Sequence, residues 1–451
     1  MQTIIMHLDM NSYFASVIQQ DNPEYRGKPL GVCEHLGGII IGASKEAKKW
    51  GITTGTPVWE ARKLYPKIIL AHTTAERFRF YTRRLVKLVS EYTSKVEVYS
   101  IDEVFLDLTR ACNIRCKNED VRYKNQILNP IPYILNNMVD PFEEAVNITL
   151  DIKRRMKREV GDWFTCSVGI AENKVLAKIG SDLKKPDGIA VIQNSKSEYR
   201  SPKQILKSRS QILNLQKAEL YHRLVLTDVP GIGPRQERNL NQLGIRTLLD
   251  LKNYPQSHLM RRFGRIMGHH LHNLGQLNSS WKAGVHQDSN IKSIGHMYTL
   301  PKEFREQKFF IPVLYKLCEM VGRRLRRKGL EGNILHFFVW DQNYKGFGHS
   351  EKLGDHVFDG REIFTHAKRL FERVKPKNDW GFKLIGVTVA NVREQNGQLS
   401  LFYNRERQRC LAAALDRVND KYGEFTITRA PVLAAGKVFR DSVGFGRVKE
   451  L

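Results

Sequence analysis

A chain of 451 residues exceeds what one hydrophobic core usually serves, so about two to four domains are expected. Hydrophobic residues at 41% and charged residues at 27% exclude a disordered chain, and no apolar run approaches the roughly 18 residues of a membrane span. Lys and Arg number 73 against 47 Asp and Glu, and the net charge of +26 favours a polyanion: nucleic acid first, an acidic membrane surface second.

The excess is uneven. Residues 1–170 hold 24 basic and 20 acidic side chains, residues 171–282 hold 19 and 8, and residues 292–402 hold 20 and 12. The later segments read as a grip, and the first, nearer balance, holds the acids. The 6 cysteines are scattered, with Cys112 and Cys116 the only close pair, so free thiols in a reducing compartment are expected. The N-terminus has no signal-peptide pattern, because Asp9 interrupts its only apolar stretch, and a cytoplasmic protein follows.

In chain order, residues 3–8 read as a buried strand ending at Asp9, and 11–20 as the helix after it. A short strand (39–41), a helix (44–50) closed by Gly51 and a helix begun by Thr56-Pro57 follow. Residues 75–92 are a long basic helix, 95–108 a hairpin, 143–159 a helix and 164–170 a strand. That order resembles a ferredoxin-like sheet with a helical insertion after its first helix. The polar, Asn-rich stretch 111–142 is an excursion. Residues 173–183 and 216–282 are mostly helical, 204–214 a further short helix, and 283–291 a linker. From residue 292 the pattern is strand (292–299), helix (307–328), strands (333–340 and 345–353), helix (361–374) and strand (383–392), a βαββαβ unit. A helix over 403–422 ends the regular pattern.

The hairpin holds Asp102 and Glu103 in an apolar, β-prone run from Tyr99 to Leu108. Neighbouring side chains of a regular strand point to opposite faces, so the two acids converge on one ion only if the chain turns or bulges there. Solvated acids at a hairpin tip are the plain alternative. Asp9 ends a core strand of the same sheet. It either caps the next helix or joins the pair, and three close carboxylates ionise together only around cations. Hard oxygen ligands suit Mg²⁺ or Mn²⁺.

Gly231-Ile232-Gly233 lies between two short helices, flanked by Pro230, Pro234, Arg235 and Arg238. Such a hairpin offers backbone N–H groups to a phosphate; a simple helix–helix turn is the alternative. Arg323-Arg324-Leu325-Arg326-Arg327-Lys328 ends a helix, where cations suit the dipole, and individual residues such as Arg324 and Arg327 suit phosphates equally well. Lys185-Pro186 follows the helix 173–183, and taken alone it is a surface lysine.

Together these residues resemble a Y-family (translesion) DNA polymerase of the bacterial polymerase IV type. The resemblance is carried by Asp9-Met10-Asn11-Ser12-Tyr13-Phe14-Ala15-Ser16-Val17, Ser100-Ile101-Asp102-Glu103 and Ser167-Val168-Gly169-Ile170-Ala171-Glu172-Asn173-Lys174. Lys178, Lys185-Pro186, Asp228-Val229-Pro230-Gly231-Ile232-Gly233 and Ser293-Ile294-Gly295 continue it in order. It implies an α+β multidomain right hand: a ferredoxin-like palm (1–10 and 73–168), small fingers (11–72), a helical thumb with a helix-hairpin-helix near 228–245 (169–282), and a βαββαβ little finger (292–402), then a tail (403–451). It implies that Asp9, Asp102 and Glu103, with the Met10 carbonyl, hold two Mg²⁺ ions, for which Mn²⁺ substitutes. Phe14 matches the aromatic steric gate against ribonucleotides. Tyr13, Phe14, Ser44, Lys45, Lys48 and Lys185 become the nucleotide contacts, and Gly231, Gly233, Arg235, Arg324 and Arg327 the DNA contacts.

Four positions depart from the family pattern. Asn11 stands where many relatives have a second Asp. Gly42, Lys45 and Lys48 stand where relatives often have Thr or Ser, Tyr, and Arg, so positive charge remains without a guanidinium fork or phenol. Gln398-Leu399-Ser400-Leu401-Phe402 matches the bacterial sliding-clamp peptide, with Gln398, Leu399, Leu401 and Phe402 as contacts; a last edge strand is the alternative. Residues 411–430 resemble the tail of polymerase V-type catalytic subunits.

The reading is a monomeric, template-directed, low-fidelity DNA polymerase for damaged DNA. Its partners are primer–template DNA, deoxynucleoside triphosphates and a sliding clamp, with no membrane. A non-catalytic DNA- and clamp-binding scaffold would lack the carboxylates, and a two-metal nucleotidyl cyclase would have no use for the thumb hairpin and basic grip.

Overall fold

The computed structural model describes residues 2–33, 38–72, 75–115, 140–194, 212–278, 291–300, 305–341, 345–374, 381–395 and 405–435. Most of the polar excursion, most of the linker, residues 204–211 of the expected short helix and the whole clamp-like peptide 398–402 lie outside them. The chain divides into two compact units, one built from Met1–Cys33 and Ile39–Gln287, the other from Asp288–Asp441.

In the first unit, β1 (Ile5–Met10) and α1 (Tyr13–Asp21) lead into β2 (Leu30–Val32), β3 (Gly42–Ala43), α2 (Lys45–Lys48), α3 (Val58–Leu64) and β4 (Ile69–Ala71). Then come α4 (Ala75–Ser90), β5 (Val96–Val98), β6 (Glu103–Asp107), α5 (Thr109–Arg115), α6 (Pro141–Arg155), β7 (Cys166–Ala171), α7 (Lys174–Leu183), β8 (Ile189–Gln193) and β9 (Ile212–Gln216). The helices α8 (Lys217–Arg223), α9 (Pro234–Asn241), α10 (Leu248–Asn253), α11 (Gln256–Phe263) and α12 (Arg265–Gly275) complete it.

The strand order β5-β6-β1-β7-β8-β9 has the expected ferredoxin-like arrangement in its first four strands. Beyond them, β8 and β9 extend the sheet in parallel from β7. The palm-like sheet therefore continues past residue 168, and residues 212–214, expected to end a short helix, are strand. All six residues of β1 are buried, since helices cover the sheet on both faces. Met6, Leu8 and Met10 face a core shared with α1, α4 and α6. Ile5 faces a second core with Leu176, Ala177 and Ile179 of α7 and the leucines of α8–α12. By alternation, His7 and Asp9 share the face of Ile5.

A smaller sheet, ordered β3-β2-β4, packs with α2 and α3 around its own core. The strand expected at 39–41 begins later: Ile39 makes an isolated bridge to Pro57, and Ile40 pairs with the 55–56 loop instead. Ser44 caps α2, and Gly51 takes the positive φ that ends the turn after it.

The second unit runs β10 (Ser293–Thr299), α13 (Phe310–Arg327), β11 (Leu330–Asp341), β12 (Gly346–Val357), α14 (Gly360–Val374) and β13 (Phe382–Glu394), the expected βαββαβ sequence. Its strands pair antiparallel in the order β10-β13-β11-β12. Leu335, Phe337 and Val339 alternate inward toward α13 and α14. The tail adds α15 (Arg405–Tyr422) and α16 (Ala430–Leu433) to this unit. Arg326 makes a bidentate pair with Asp416 of α15 at 2.7 and 2.8 Å, and Arg323 and Arg327 both reach Asp420.

Candidate active site

The site is built where β1 ends. Met10 N–H donates to the Asp102 carbonyl and Asn11 N–H to the Thr165 carbonyl, both at 2.9 Å, which fixes the strand end between its two neighbours. Asp9 lies opposite Glu103 in the antiparallel register, so both carboxylates leave the sheet on one face. Asp102 escapes strand alternation because Tyr99–Asp102 form a tight turn, in which the N–H groups of Tyr99 and Ser100 both donate to the Glu103 carbonyl. The turn that the acid pair required is present.

Buried carboxylates resist ionising together. Burial, the Asp9 charge and the Glu103 charge push the Asp102 carboxyl up to about 6, against a 2.5 Å hydrogen bond from Ser100 Oγ. Burial also raises Asp9, although Lys185 opposes it. Burial would raise Glu103 too, but His7 and Lys178 outweigh it and hold it at about 2. Among the described residues, no three such side chains stand close enough to enclose an ion in this arrangement. Lysines balance the acids instead: Lys185 Nζ is 2.6 Å from Asp9 Oδ2, and Lys178 Nζ is 2.6 Å from Glu103 Oε2. An all-oxygen donor set, partly buried and holding one carboxyl near 6, suits a hard divalent cation.

One helix supplies that balance. Lys174, Lys178, Ser181 and Lys185 recur at i, i+4, i+7 and i+11 along α7 and its end, one helical face. They reach Glu97, Glu103, His7 and Asp9 in turn. Sequence reasoning noted Lys178 only as part of a motif and missed His7 and Ser181. The helical spacing, with His7 two residues before Asp9 on the same strand face, is the signal that would have found them. His7 is fully buried and burial keeps its ring toward the neutral form.

The other expected residues divide into two groups. Lys48 and Lys45 lie on the site side: Lys48 is depressed by burial and by the neighbouring Lys185 charge, and Lys45 Nζ donates to Thr165 Oγ1 at 3.2 Å. Beside them a cleft of about 210 Å³ opens between Ser12, Ser16, Lys157 and Thr165. Phe14 is 6% exposed, edge-on to Phe78 at 4.8 Å. Gly42 is needed beneath it, since a Cβ there would stand 2.6 Å from Phe14 Cβ. Ser44 and Tyr13, expected at the nucleotide, spend their side chains on the fold. Ser44 Oγ accepts from Ala47 N–H and donates to the Lys28 carbonyl, and a helix start without that cap would leave orphan donors. Tyr13 Oη donates to the Phe78 carbonyl and contacts Thr82, which in turn donates to the Ile101 carbonyl. That chain ties α4 to the Asp102 turn. The Asn11 amide is held by Thr165 and by Ser167 of β7, the residue opposite Asp9 in the register.

In the helical hairpin, Gly231 has φ +104, Gly233 is the N-cap of α9, and Ile232 is buried between them. Gly231, Gly233 and Arg235 are exposed, so the helix start faces solvent. In the second unit, Arg324 donates to the Gly295 carbonyl at 3.0 Å and Arg327 pairs with Asp420. Both expected phosphate contacts are thus engaged with protein groups.

Known proteins agree with this architecture. The impB/mucB/samB family profile matches residues 8–182, its C-terminal-domain profile residues 291–401, and a DNA polymerase-iota thumb profile residues 227–276. A DNA polymerase IV of Pelotomaculum thermopropionicum is 30% identical over 98% of this chain and 99% of its own. The chain belongs to the Y family of DNA polymerases. A DNA polymerase IV of Moorella thermoacetica is 31% identical over 96% of this chain and 97% of its own, and DNA polymerase IV 1 of Bacillus subtilis 28% over 95% and 93%. A solved Y-family chimera of Dbh and Dpo4 shares the fold, with TM-score 0.66 and 24% identity over 87% of this chain and 100% of that one. Y-family enzymes are metal-dependent.

Proposed function

We infer that this chain is a template-directed, low-fidelity DNA polymerase that copies damaged DNA by nucleotidyl transfer. The observation that carries the reading is the placement of Asp9 opposite Glu103, with Asp102 in the adjoining turn, at one end of the central sheet, with Lys185, Lys48 and Lys45 on the same side. Asp9, Asp102 and Glu103, with the Met10 carbonyl, would hold two Mg²⁺ ions, or Mn²⁺ in their place. Bound there, such ions supply the positive charge that acidifies a primer 3′-hydroxyl and neutralises the leaving pyrophosphate.

The protein's own groups do the rest. Lys185 leaves Asp9 for the triphosphate, and Lys45 and Lys48 add charge beside it. The Phe14 ring occupies the space of a ribose 2′-hydroxyl. The exposed N–H groups of the Gly231–Gly233 hairpin and Arg235 hold backbone phosphates without reading bases. The 398–402 peptide engages a sliding clamp, Leu401 and Phe402 filling an apolar pocket. We keep the domain limits read from the sequence, except that β8 and β9 carry the palm sheet past residue 168. We place the enzyme in the cytoplasm as a monomer, on its likeness to bacterial DNA polymerases IV.

Primer extension with Mg²⁺ and deoxynucleotides tests the reading. Incorporation by the full chain, lost in Asp102→Ala, is expected; an Asp102→Ala variant as active as the parent overturns it. Deleting 398–402 is expected to abolish clamp binding while leaving unassisted extension intact.

A further inference from the structure

Glu103 divides its two oxygens between different tasks. Oε2 is held by Lys178 at 2.6 Å and faces His7 Nε2 at 3.4 Å. No hydrogen bond or ion pair among the described residues reaches Oε1, so that oxygen is the one left for a cation. His7 is placed to keep that division. Its ring is fully buried, packed 4.4 Å from the Phe105 ring, so it cannot swing away. Its Nδ1 is 2.7 Å from Ser181 Oγ, while its Nε2, 3.4 Å from Glu103 Oε2, makes no hydrogen bond among the described residues.

The proton count decides what the ring can do. The Ser181 hydroxyl carries one proton. Sent to the Lys178 carbonyl at 2.8 Å, it leaves Ser181 accepting from His7 Nδ1–H. A bare Nε2 lone pair would then face a carboxylate oxygen in a dry site, two acceptors in opposition. The Lys178 carbonyl lies inside α7 and already accepts the helical bond from residue 182. Turned instead to Nδ1, the Ser181 proton leaves that carbonyl with its helical bond, and the neutral ring then carries its proton on Nε2, toward Glu103.

We propose that His7, oriented by Ser181, is a positioning residue for Glu103: its Nε2–H holds Oε2 together with Lys178 and leaves Oε1 turned to the metal site. The proposal rests on the polymerase reading above. Partners of this kind that orient a metal-binding group typically cost about 10- to 100-fold in metal affinity when removed.

The test titrates Mn²⁺ into the full chain bound to a dideoxy-terminated primer–template and the matching deoxynucleotide, with free Mn²⁺ read by electron paramagnetic resonance. His7→Phe keeps a ring against Phe105 and removes both nitrogens, and its Mn²⁺ dissociation constant is expected to rise about tenfold. Ser181→Ala, a milder change that carries the test if His7→Phe does not fold, shifts it in the same direction by less. His7→Gln, whose amide restores a donor near Nε2, recovers part of the loss. In primer extension the same variants need more Mg²⁺ for half-maximal rate, yet approach the parent rate at saturating Mg²⁺, whereas a packing defect lowers the rate at every concentration. Folded His7→Phe and Ser181→Ala variants that bind Mn²⁺ like the parent overturn the proposal. A parent chain that binds no Mn²⁺ overturns the polymerase reading itself, and this proposal with it.

Discussion

Lys185 Nζ sits 2.6 Å from Asp9 Oδ2, so an ammonium rests on one of the carboxylates proposed to hold a metal. The same lysine also reaches Asp182 at 2.7 Å. Burial alone would lower its pKa, but the two acids more than offset this and keep it charged. Lys185→Ala is expected to act in two directions. The apparent KM for deoxynucleotide rises about tenfold, because a triphosphate contact worth about 1.4 kcal/mol is gone. Mn²⁺ binding without nucleotide tightens by about two- to fivefold, because a partly exposed competitor has left Asp9. Steady-state kinetics and a metal titration measure the two effects separately.

Asp102 sets a pH dependence. Its folded-state pKa of about 6 lies above the ordinary carboxylate value of 3.8, because burial and two neighbouring acids disfavour its charge. The folded state then binds more protons than the unfolded one between those limits, so metal-free stability falls as pH rises from about 4 to about 6. Metal binding must displace that proton, so Mn²⁺ affinity of the nucleotide-free protein weakens as pH drops through about 6. Asp102→Asn removes the charge and keeps the shape. It is expected to abolish extension yet raise the melting temperature of the metal-free protein at pH 7 by about 2–4 °C, measured by calorimetry.

Phe14 combines a packing role with the proposed gate. Phe14→Ala is expected to cost about 3–4 kcal/mol of stability, since the ring is buried against Phe78 and Tyr13. In the surviving folded protein, ribonucleotide incorporation relative to deoxynucleotide rises at least about tenfold, seen by primer extension with each nucleotide alone. Unchanged discrimination would refute the gate.

The tail offers a contrast between two acids on one helix. Asp416 is 14% exposed in a bidentate pair with Arg326, itself 13% exposed, while Asp420 is 51% exposed beside Arg327. Removing one partner of a buried pair leaves the other stranded, so Asp416→Ala should cost about 3–5 kcal/mol in the second unit. Asp420→Ala should cost less, about 1 kcal/mol, because the buried Arg323 that it also pairs with keeps Glu424 at 3.3 Å, and should matter less still in high salt. Urea denaturation of both variants at two salt concentrations distinguishes them.

Much of this was legible in the residues. The apolar run ending in Asp9, the acid pair inside a β-prone hairpin and the strand–helix order of both units follow from periodicity, and the structure bears out the ferredoxin-like sheet and the βαββαβ unit. Strands β8 and β9 were harder. Ile189–Gln193 is a short apolar run next to a helix, which periodicity does not separate from helix, and its parallel partners β7 and β9 make it strand. Motif position points Ser44 and Tyr13 toward a nucleotide, but it says nothing of where a hydroxyl is spent. The arginines ending α13 read equally as a solvated helix end or as phosphate contacts, because their acidic partners lie about 90 residues away in α15.

The face of α7 works as a ruler laid across the sheet. Its marks fall at four residues whose partners belong to β5, β6 and β1, and they match only because helical rise and strand spacing happen to agree over eleven residues. A substitution at one mark disturbs one partner. Deleting a single residue between Lys178 and Ser181 would instead swing everything downstream by about 100°, turning Ser181 and Lys185 off His7 and Asp9 together while Lys174 and Lys178 stayed engaged. The segment should therefore accept changes of residue far more readily than changes of length, and lineages of this enzyme are expected to carry their insertions elsewhere.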